Sequence, residues 1–271
     1  MFPRLFTLPI PEFLHGILPS HLTLHSYGLM IALGILAAFY IVLKKAKKFG
    51  LDSDKVSSLF IWVILAAFVG GKLFFFMEDL AKYTADPSLI KGAIGGGFVF
   101  YGSLIFAVPT IVIWLRRQKV SVRPFLDILA FAGPVVHSFG RVGCLLAGCC
   151  HGKVCESWMG ITFSHPNTLA AIKDTPLYPT QLFDIAVNLI ILVTVFFIQK
   201  KQKFDGQLFL VYLMMYGVGR SIVEIFRGDE ARGFLFDGAV SYSQFIAVCI
   251  IVICAIVWRR WSKSKLNVLN K

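Results

Sequence analysis

Apolar positions along this chain gather into seven long runs. They show neither the strict alternation of a half-buried strand nor the single stripe of a surface helix. The runs extend from about Tyr27 to Leu43, Val56 to Met77, Phe98 to Leu115, Phe125 to Leu146, Thr180 to Ile198, Gln207 to Phe226 and Tyr242 to Trp258. A run of about 20 apolar residues crosses a bilayer as a helix. Helices are needed there because hydrocarbon offers no partner to backbone N–H and C=O groups. The pattern predicts an all-α integral membrane protein with seven transmembrane helices. No Ser/Gly linker, low-complexity segment or internal repeat divides it, so residues 1–271 read as a single polytopic membrane domain.

The polar punctuation supplies an orientation. Basic clusters follow four of the runs: Lys44, Lys45, Lys47, Lys48 and Lys55; Arg116, Arg117, Lys119 and Arg123; Lys200, Lys201 and Lys203; and Arg259, Arg260, Lys263, Lys265 and Lys271. With the N-terminus outside and the C-terminus in the cytoplasm, all four fall on the cytoplasmic side, as the positive-inside rule requires. The connections at about 78–97, 147–179 and 227–241 then lie outside and carry most of the acidic residues. The connection at 147–179 is too long and too polar for a turn. Together with the segment after Glu78 it is expected to form a small extracytoplasmic cap. The opening MFPRLFTLPIPEF, with one arginine and three prolines, lacks the pattern of a cleavable signal.

Composition agrees with this reading: 57% of the residues are hydrophobic and the mean hydropathy is +0.74. The net charge of +12 would suit a nucleic-acid partner. Its placement at the ends of apolar runs assigns it to topology instead, and no nucleic acid is expected.

Against this background the stretch His137–Gly152, HSFGRVGCLLAGCCHG, stands out. Arg141 falls near the outer end of the fourth run, and Arg220, Glu224 and Arg227 toward the outer end of the sixth. Arg220 and Glu224 share a helix face, as do Glu224 and Arg227. Ionisable groups at membrane depth face a partner or a cavity. These residues are either structural ion pairs or an anion site in which guanidinium forks hold a phosphate. Both hold at once if Glu224 orients one arginine. Gly95, Gly96 and Gly97 precede the third run and suit either a plain loop or a helix start that accepts an anion. Tyr101 is either an interfacial anchor or a phenol that serves a phosphate or relays a proton. Tyr27 reads as a belt residue, and Asp184, near the start of the fifth run, as a charge favourable to the helix dipole.

Cys249 and Cys254 lie in the seventh run as packing residues. Cys144, Cys149, Cys150 and Cys155, with His151, form an outer cluster. Its spacing is not a pair-and-pair zinc pattern, and structural thiols, disulfides or a functional role remain open. Cys150 and Cys155, five apart, suit a local disulfide.

Several stretches, in order, resemble the prolipoprotein diacylglyceryl transferase family: Ser26-Tyr27-Gly28-Leu29-Met30, GGGFVFYGSLI from Gly95, GRVG from Gly140, YPTQLFD from Tyr178 and YGVGRSIVEIFR from Tyr216. The resemblance implies a seven-span enzyme of the bacterial cytoplasmic (inner) membrane without a cofactor. Such an enzyme moves a diacylglyceryl group from phosphatidylglycerol to the lipobox cysteine of a prolipoprotein signal peptide and releases glycerol phosphate. The family's key arginines match Arg141 and Arg220, and its first-span tyrosine matches Tyr27. The chain departs from the family where Tyr101 replaces a usual histidine. It departs again after GRxG, where the usual N-x-x-N-G-E reads Cys144, Ala147, Gly148 and Cys149, with Gly152 keeping a later glycine. It therefore resembles a divergent, cysteine-rich branch.

On this reading Arg141 holds the headgroup phosphate and Arg220, oriented by Glu224, stabilises the leaving group. Tyr101 relays the proton, and Tyr27, Gly143, Cys144, Gln181 and Arg227 complete the phosphatidylglycerol pocket. Membrane lipid supplies the apolar groove for the acyl chains. The outer cysteines are expected to be structural, none acting as nucleophile, with no metal. The alternatives are a membrane thiol-redox protein using the outer cysteines, a related lipid transferase with another donor or acceptor, and an anion transporter. The first leaves the arginines unexplained, and the last lacks repeat halves.

Overall fold

The computed structural model describes residues 2–9, 21–86, 88–90, 97–228, 234–235 and 240–263. Gly95, Gly96, Lys265, Lys271 and much of the 227–241 segment lie outside the described residues. Among the described residues, seven helices are long and apolar enough to cross a membrane. They are α1 (Ser26–Ala46), α2 (Ser53–Glu78), α4 (Phe100–Arg117), α5 (Val122–Ala147), α6 (Thr180–Ile198), α7 (Gln207–Ile225) and α8 (Tyr242–Trp261). A short α3 (Leu80–Ala85) follows α2. The chain is thus mostly helical, as the apolar runs predict, and the predicted ends shift by no more than one helical turn.

An antiparallel hairpin precedes α1, which the apolar runs do not predict. Strands β1 (Arg4–Pro9) and β2 (His21–His25) pair with Leu8 opposite Leu22. The backbone N–H of Ser26 donates to Pro3 O at 3.1 Å, which joins the hairpin to the first turn of α1. Two further two-stranded sheets are minimal: β3 (Ile161–Thr162) with β4 (Pro176–Leu177), and β5 (Phe234–Leu235) with β6 (Val240–Ser241).

The chain divides into two compact units, residues 43–125 and residues 1–42 with 126–271. In the first, α2 and α4 cross at glycines. A Cβ on Gly70 would strike the Gly102 carbonyl oxygen, and one on Gly102 would strike that of Gly70. The Val99 N–H donates to Gly71 O at 3.1 Å. Between apolar helices, where lipid competes equally for apolar side chains, such close backbone approach is a principal source of association.

In the second unit, Ile191 and Val195 of α6 pack with Ala130 and Phe131 of α5 and with Leu208 and Val211 of α7. The buried Asp127 of α5 fixes the start of α7. Its carboxylate accepts from the backbone N–H groups of Gly206 (2.7 Å), Leu208 (2.8 Å) and Phe209 (3.1 Å), and from Gln202 Nε2 (2.6 Å). A carboxylate at a helix N-terminus satisfies orphan donors and complements the dipole.

The 148–179 connection has its own small core. Phe163, Ala170 and Leu177 form a small buried cluster joined by Leu145 and Ile161. The segment after Glu78, expected to share this cap, belongs to the other unit and contributes α3.

Candidate active site

Arg141 sits one turn beyond His137 on α5, and both reach toward α6. Its Nε lies 2.9 Å from Asp184 Oδ2 and donates to His137 Nε2 at 3.2 Å. A guanidinium only donates, so His137 Nε2 must accept. Asn188, one turn after Asp184, donates from Nδ2 to the Asp184 carbonyl at 2.7 Å. The same nitrogen lies 3.3 Å from His137 Nδ1. The His137 ring packs 5.3 Å from that of Tyr216 on α7. Asp184 is 2% and Asn188 1% exposed. A buried charge is costly unless paired; Asp184 Oδ2 has no hydrogen-bond partner among the described residues, so the Arg141 guanidinium is its counter-charge. Asp184, read from its position as a charge favourable to the helix dipole, is also the buried counter-ion of Arg141.

Arg220 on α7 is buried in the same way. Its Nη2 lies 2.5 Å from Glu224 Oε2, one turn on, and 3.4 Å from Ser243 Oγ on α8. The pairing read from the four-residue spacing is thus present. Nη1 of Arg220 is buried and has no hydrogen-bond partner among the described residues. A buried donor left unmade costs about 1–3 kcal/mol, so this edge of the fork is suited to an incoming acceptor. Arg227 is also buried. Asp184 lies in the field of Arg141, Arg220 and Arg227 together, so the three guanidinium groups occupy one neighbourhood.

The segment after α5 is folded back against the start of α6 and the end of α7. The helix ends at Ala147, and the carbonyl of Cys144 in its last turn accepts from the N–H groups of Gly148 (2.9 Å) and Cys149 (3.1 Å). Gly148 (φ +85) and Cys150 (φ +62) both adopt the left-handed region, which reverses the chain. Gln181 Nε2 donates to Cys149 O, and Thr180 Oγ1 to Cys150 O, each at 2.7 Å. The Gly152 N–H donates to Tyr178 O at 2.8 Å, and the Lys153 N–H to Phe226 O at 2.9 Å. A Cβ on Gly152 would collide with the Phe226 carbonyl oxygen and with Tyr178 Cβ. Only glycine fits between these two strands of chain.

This reversal brings the Sγ atoms of Cys144, Cys149 and Cys150 within 4.8 Å of one another. Hydrogen bonds from the Cys144 and Cys149 thiols, with the charges of Arg141 and Arg227, hold Cys150 below the ordinary thiol range. Cys149 is pushed above that range by the bonds it shares with Cys144 and Cys150 and by burial. All six cysteines are free thiols. The Cys150–Cys155 disulfide suggested by spacing is not formed; Cys155 is buried with its Sγ against Ser157 O at 3.7 Å.

The remaining candidates are placed as follows. Gly143 sits where α1 crosses α5, and a Cβ there would meet Tyr27 Cδ2 at 3.1 Å and Met30 Cβ at 3.2 Å. The half-exposed Tyr27 thus lies beside the helix that carries Arg141. Gln181 is fully buried, and its amide nitrogen serves the Cys149 carbonyl. Tyr101 lies in the first turn of α4, in the 43–125 unit, and is 59% exposed. His137, Asp184 and Asn188 were not among the residues assigned to the site from sequence. One signal was available: Gln181, Asp184 and Asn188 recur at intervals of three and four on an otherwise apolar helix, which puts three polar side chains on one face.

The family model described as prolipoprotein diacylglyceryl transferase matches residues 16–260. The phosphatidylglycerol--prolipoprotein diacylglyceryl transferase of Clostridium tetani is 34% identical over 232 residues, 86% of this chain and 91% of that protein. The enzyme named phosphatidylglycerol--prolipoprotein diacylglyceryl transferase 2 in Clostridium perfringens is 35% identical over 231 residues, 85% and 88% of the two chains. The Geobacter sulfurreducens relative of the first name is 30% identical over 235 residues, 84% and 87%. With most of its length matched by the family model and by relatives of this identity, the chain belongs to the prolipoprotein diacylglyceryl transferase family.

Proposed function

We propose that this protein transfers a diacylglyceryl group from phosphatidylglycerol to the lipobox cysteine thiol of prolipoproteins in the bacterial cytoplasmic membrane. The lipobox sulfur attacks the diacylglycerol carbon that bears the phosphate ester. A C–S thioether bond forms, the C–O bond to phosphate breaks, and glycerol phosphate leaves with the electron pair. The thiol proton must be taken up, because a free cysteine with a pKa of about 8.5 is mostly protonated at neutral pH.

The observation that carries this reading is the pair of arginines, Arg220 buried and Arg141 partly buried, each anchored on one edge by a carboxylate. Asp184 and His137 hold Nε of Arg141, and its two Nη groups are assigned to the headgroup phosphate. Glu224 and Ser243 hold Nη2 of Arg220, and its unpartnered Nη1 takes the charge developing on the leaving phosphate. Preorganised donors in a dry site cost no reorganisation at the moment of reaction. Tyr27, Gly143, Cys144, Gln181 and Arg227 contribute the walls of the headgroup pocket, and Tyr101 relays the proton in place of the family's histidine. The single membrane domain over residues 1–271, with its N-terminus outside, belongs to the same proposal. So does recognition of the signal peptide of the acceptor.

The test is mass spectrometry of purified protein incubated with phosphatidylglycerol and a lipobox peptide. The peptide gains one diacylglyceryl group in thioether linkage, and glycerol phosphate appears in equal amount. A peptide that stays unmodified in the presence of phosphatidylglycerol overturns the reading.

A further inference from the structure

The three sulfurs at the end of α5 are not needed as nucleophiles in the transfer, since the acceptor brings its own thiol. They are nonetheless held together by a built turn. Cys144 is in the last turn of the helix, and the left-handed Gly148 and Cys150 bring the other two back over it. The backbone of that turn is pinned by Gln181 and Thr180, which are both fully buried. The geometry points to a site in which Cys144, Cys149 and Cys150 bind one thiophilic d10 metal ion, Zn2+ or Cu+, through three sulfurs.

Three arguments support this. The first is spacing. Zinc–sulfur bonds of about 2.3 Å in tetrahedral geometry set sulfur–sulfur separations of about 3.8 Å. The three Sγ atoms already lie within 4.8 Å of one another, so rotamer adjustments of about 1 Å complete the set. The second is donor type. An all-sulfur set excludes Mg2+ and Ca2+ and selects soft ions. The third is charge. Binding displaces the thiol protons to solvent, and Arg141 and Arg227 stand where they offset the resulting thiolate charge. A disulfide, by contrast, would join two of the three sulfurs and strand the third. The ion would fix the helix end that carries Arg141, three residues before Cys144. The inference does not depend on the transfer reaction.

The test uses the full-length protein, reduced and freed of metal in detergent, with ZnCl2 in one arm and anaerobic Cu+ in the other. Elemental analysis after desalting is expected to find one ion per chain in at least one arm. In that arm the ion should slow maleimide alkylation of Cys149 and Cys150 by about tenfold, because a coordinated sulfur is not free to attack, while Cys249 continues to react. Retention should be lost in Cys144→Ser, Cys149→Ser and Cys150→Ser and kept in Cys155→Ser. Absence of retention in both arms overturns the site. So does retention that survives Cys150→Ser, or unchanged alkylation of Cys149 and Cys150 in the wild-type protein, a measurement that needs no variant to fold.

Discussion

In the proposed reaction, arginine is required at positions 141 and 220 because each guanidinium has two tasks. One edge is held by a carboxylate, at 2.9 Å for Asp184 and 2.5 Å for Glu224, and the rest of the fork is assigned to the phosphate. A lysine ammonium keeps the charge but cannot divide itself in this way. Arg141→Lys and Arg220→Lys are each expected to lower turnover by about 10²-fold or more, the usual cost of one preorganised donor, with the protein still inserted and folded. Near-normal turnover of both variants in a detergent assay would remove the two-arginine clamp. Tyr101→Phe should lower the rate more than the affinity for phosphatidylglycerol. A relay loses its function with the hydroxyl, whereas an interfacial anchor tolerates phenylalanine, so unchanged turnover assigns Tyr101 to packing. The arginines were legible in the sequence because charge in an apolar run is conspicuous. Their partners were less so. Asp184 sits near the start of a helix, where an acidic residue has an ordinary explanation, and His137 is one of two histidines in a cysteine-rich stretch. Only the packing of α5 against α6 shows that these side chains meet. The three-sulfur cluster was hidden for a similar reason. Its spacing of five and one matches no familiar ligand pattern, and it closes only because a non-glycine residue, Cys150, takes a positive φ.

At the scale of elements, the seven helices were readable almost to their ends, since hydrocarbon imposes length and apolarity directly. What escaped were the elements that bilayer thickness does not dictate: the β1–β2 hairpin, the short α3 and the small sheets. Strands of two to six residues leave a periodicity too brief to separate from loops. The Asp127 cap also escaped, because its donors come from a segment about eighty residues later. Asp127→Ala would leave the N–H groups of Gly206, Leu208 and Phe209 without their acceptor. The expected loss is about 2–3 kcal/mol, combining a lost cap with buried unsatisfied donors. It should be read as a lower Tm in detergent with turnover per folded molecule little changed. An unchanged Tm would mean that the loop before α7 finds other acceptors.

For the whole molecule, the four basic clusters predict one orientation. A Gln118→Cys variant should take up no more impermeant thiol reagent than wild type in intact cells, and should gain labelling once the membrane is opened. Added labelling in intact cells would invert the topology and move the arginine site to the cytoplasmic side. That would separate it from lipoprotein precursors whose lipobox emerges on the outer side. The family assignment and the two anchored guanidinium groups support the proposed transfer, and the predicted orientation would place it on the outer side. The most direct measurement is complementation of a bacterial strain depleted of its own prolipoprotein diacylglyceryl transferase. Expression of this chain is predicted to restore growth and to restore diacylglyceryl thioether on the lipoproteins, detected by mass spectrometry. A stably inserted protein that leaves the lipoproteins unmodified would contradict the account.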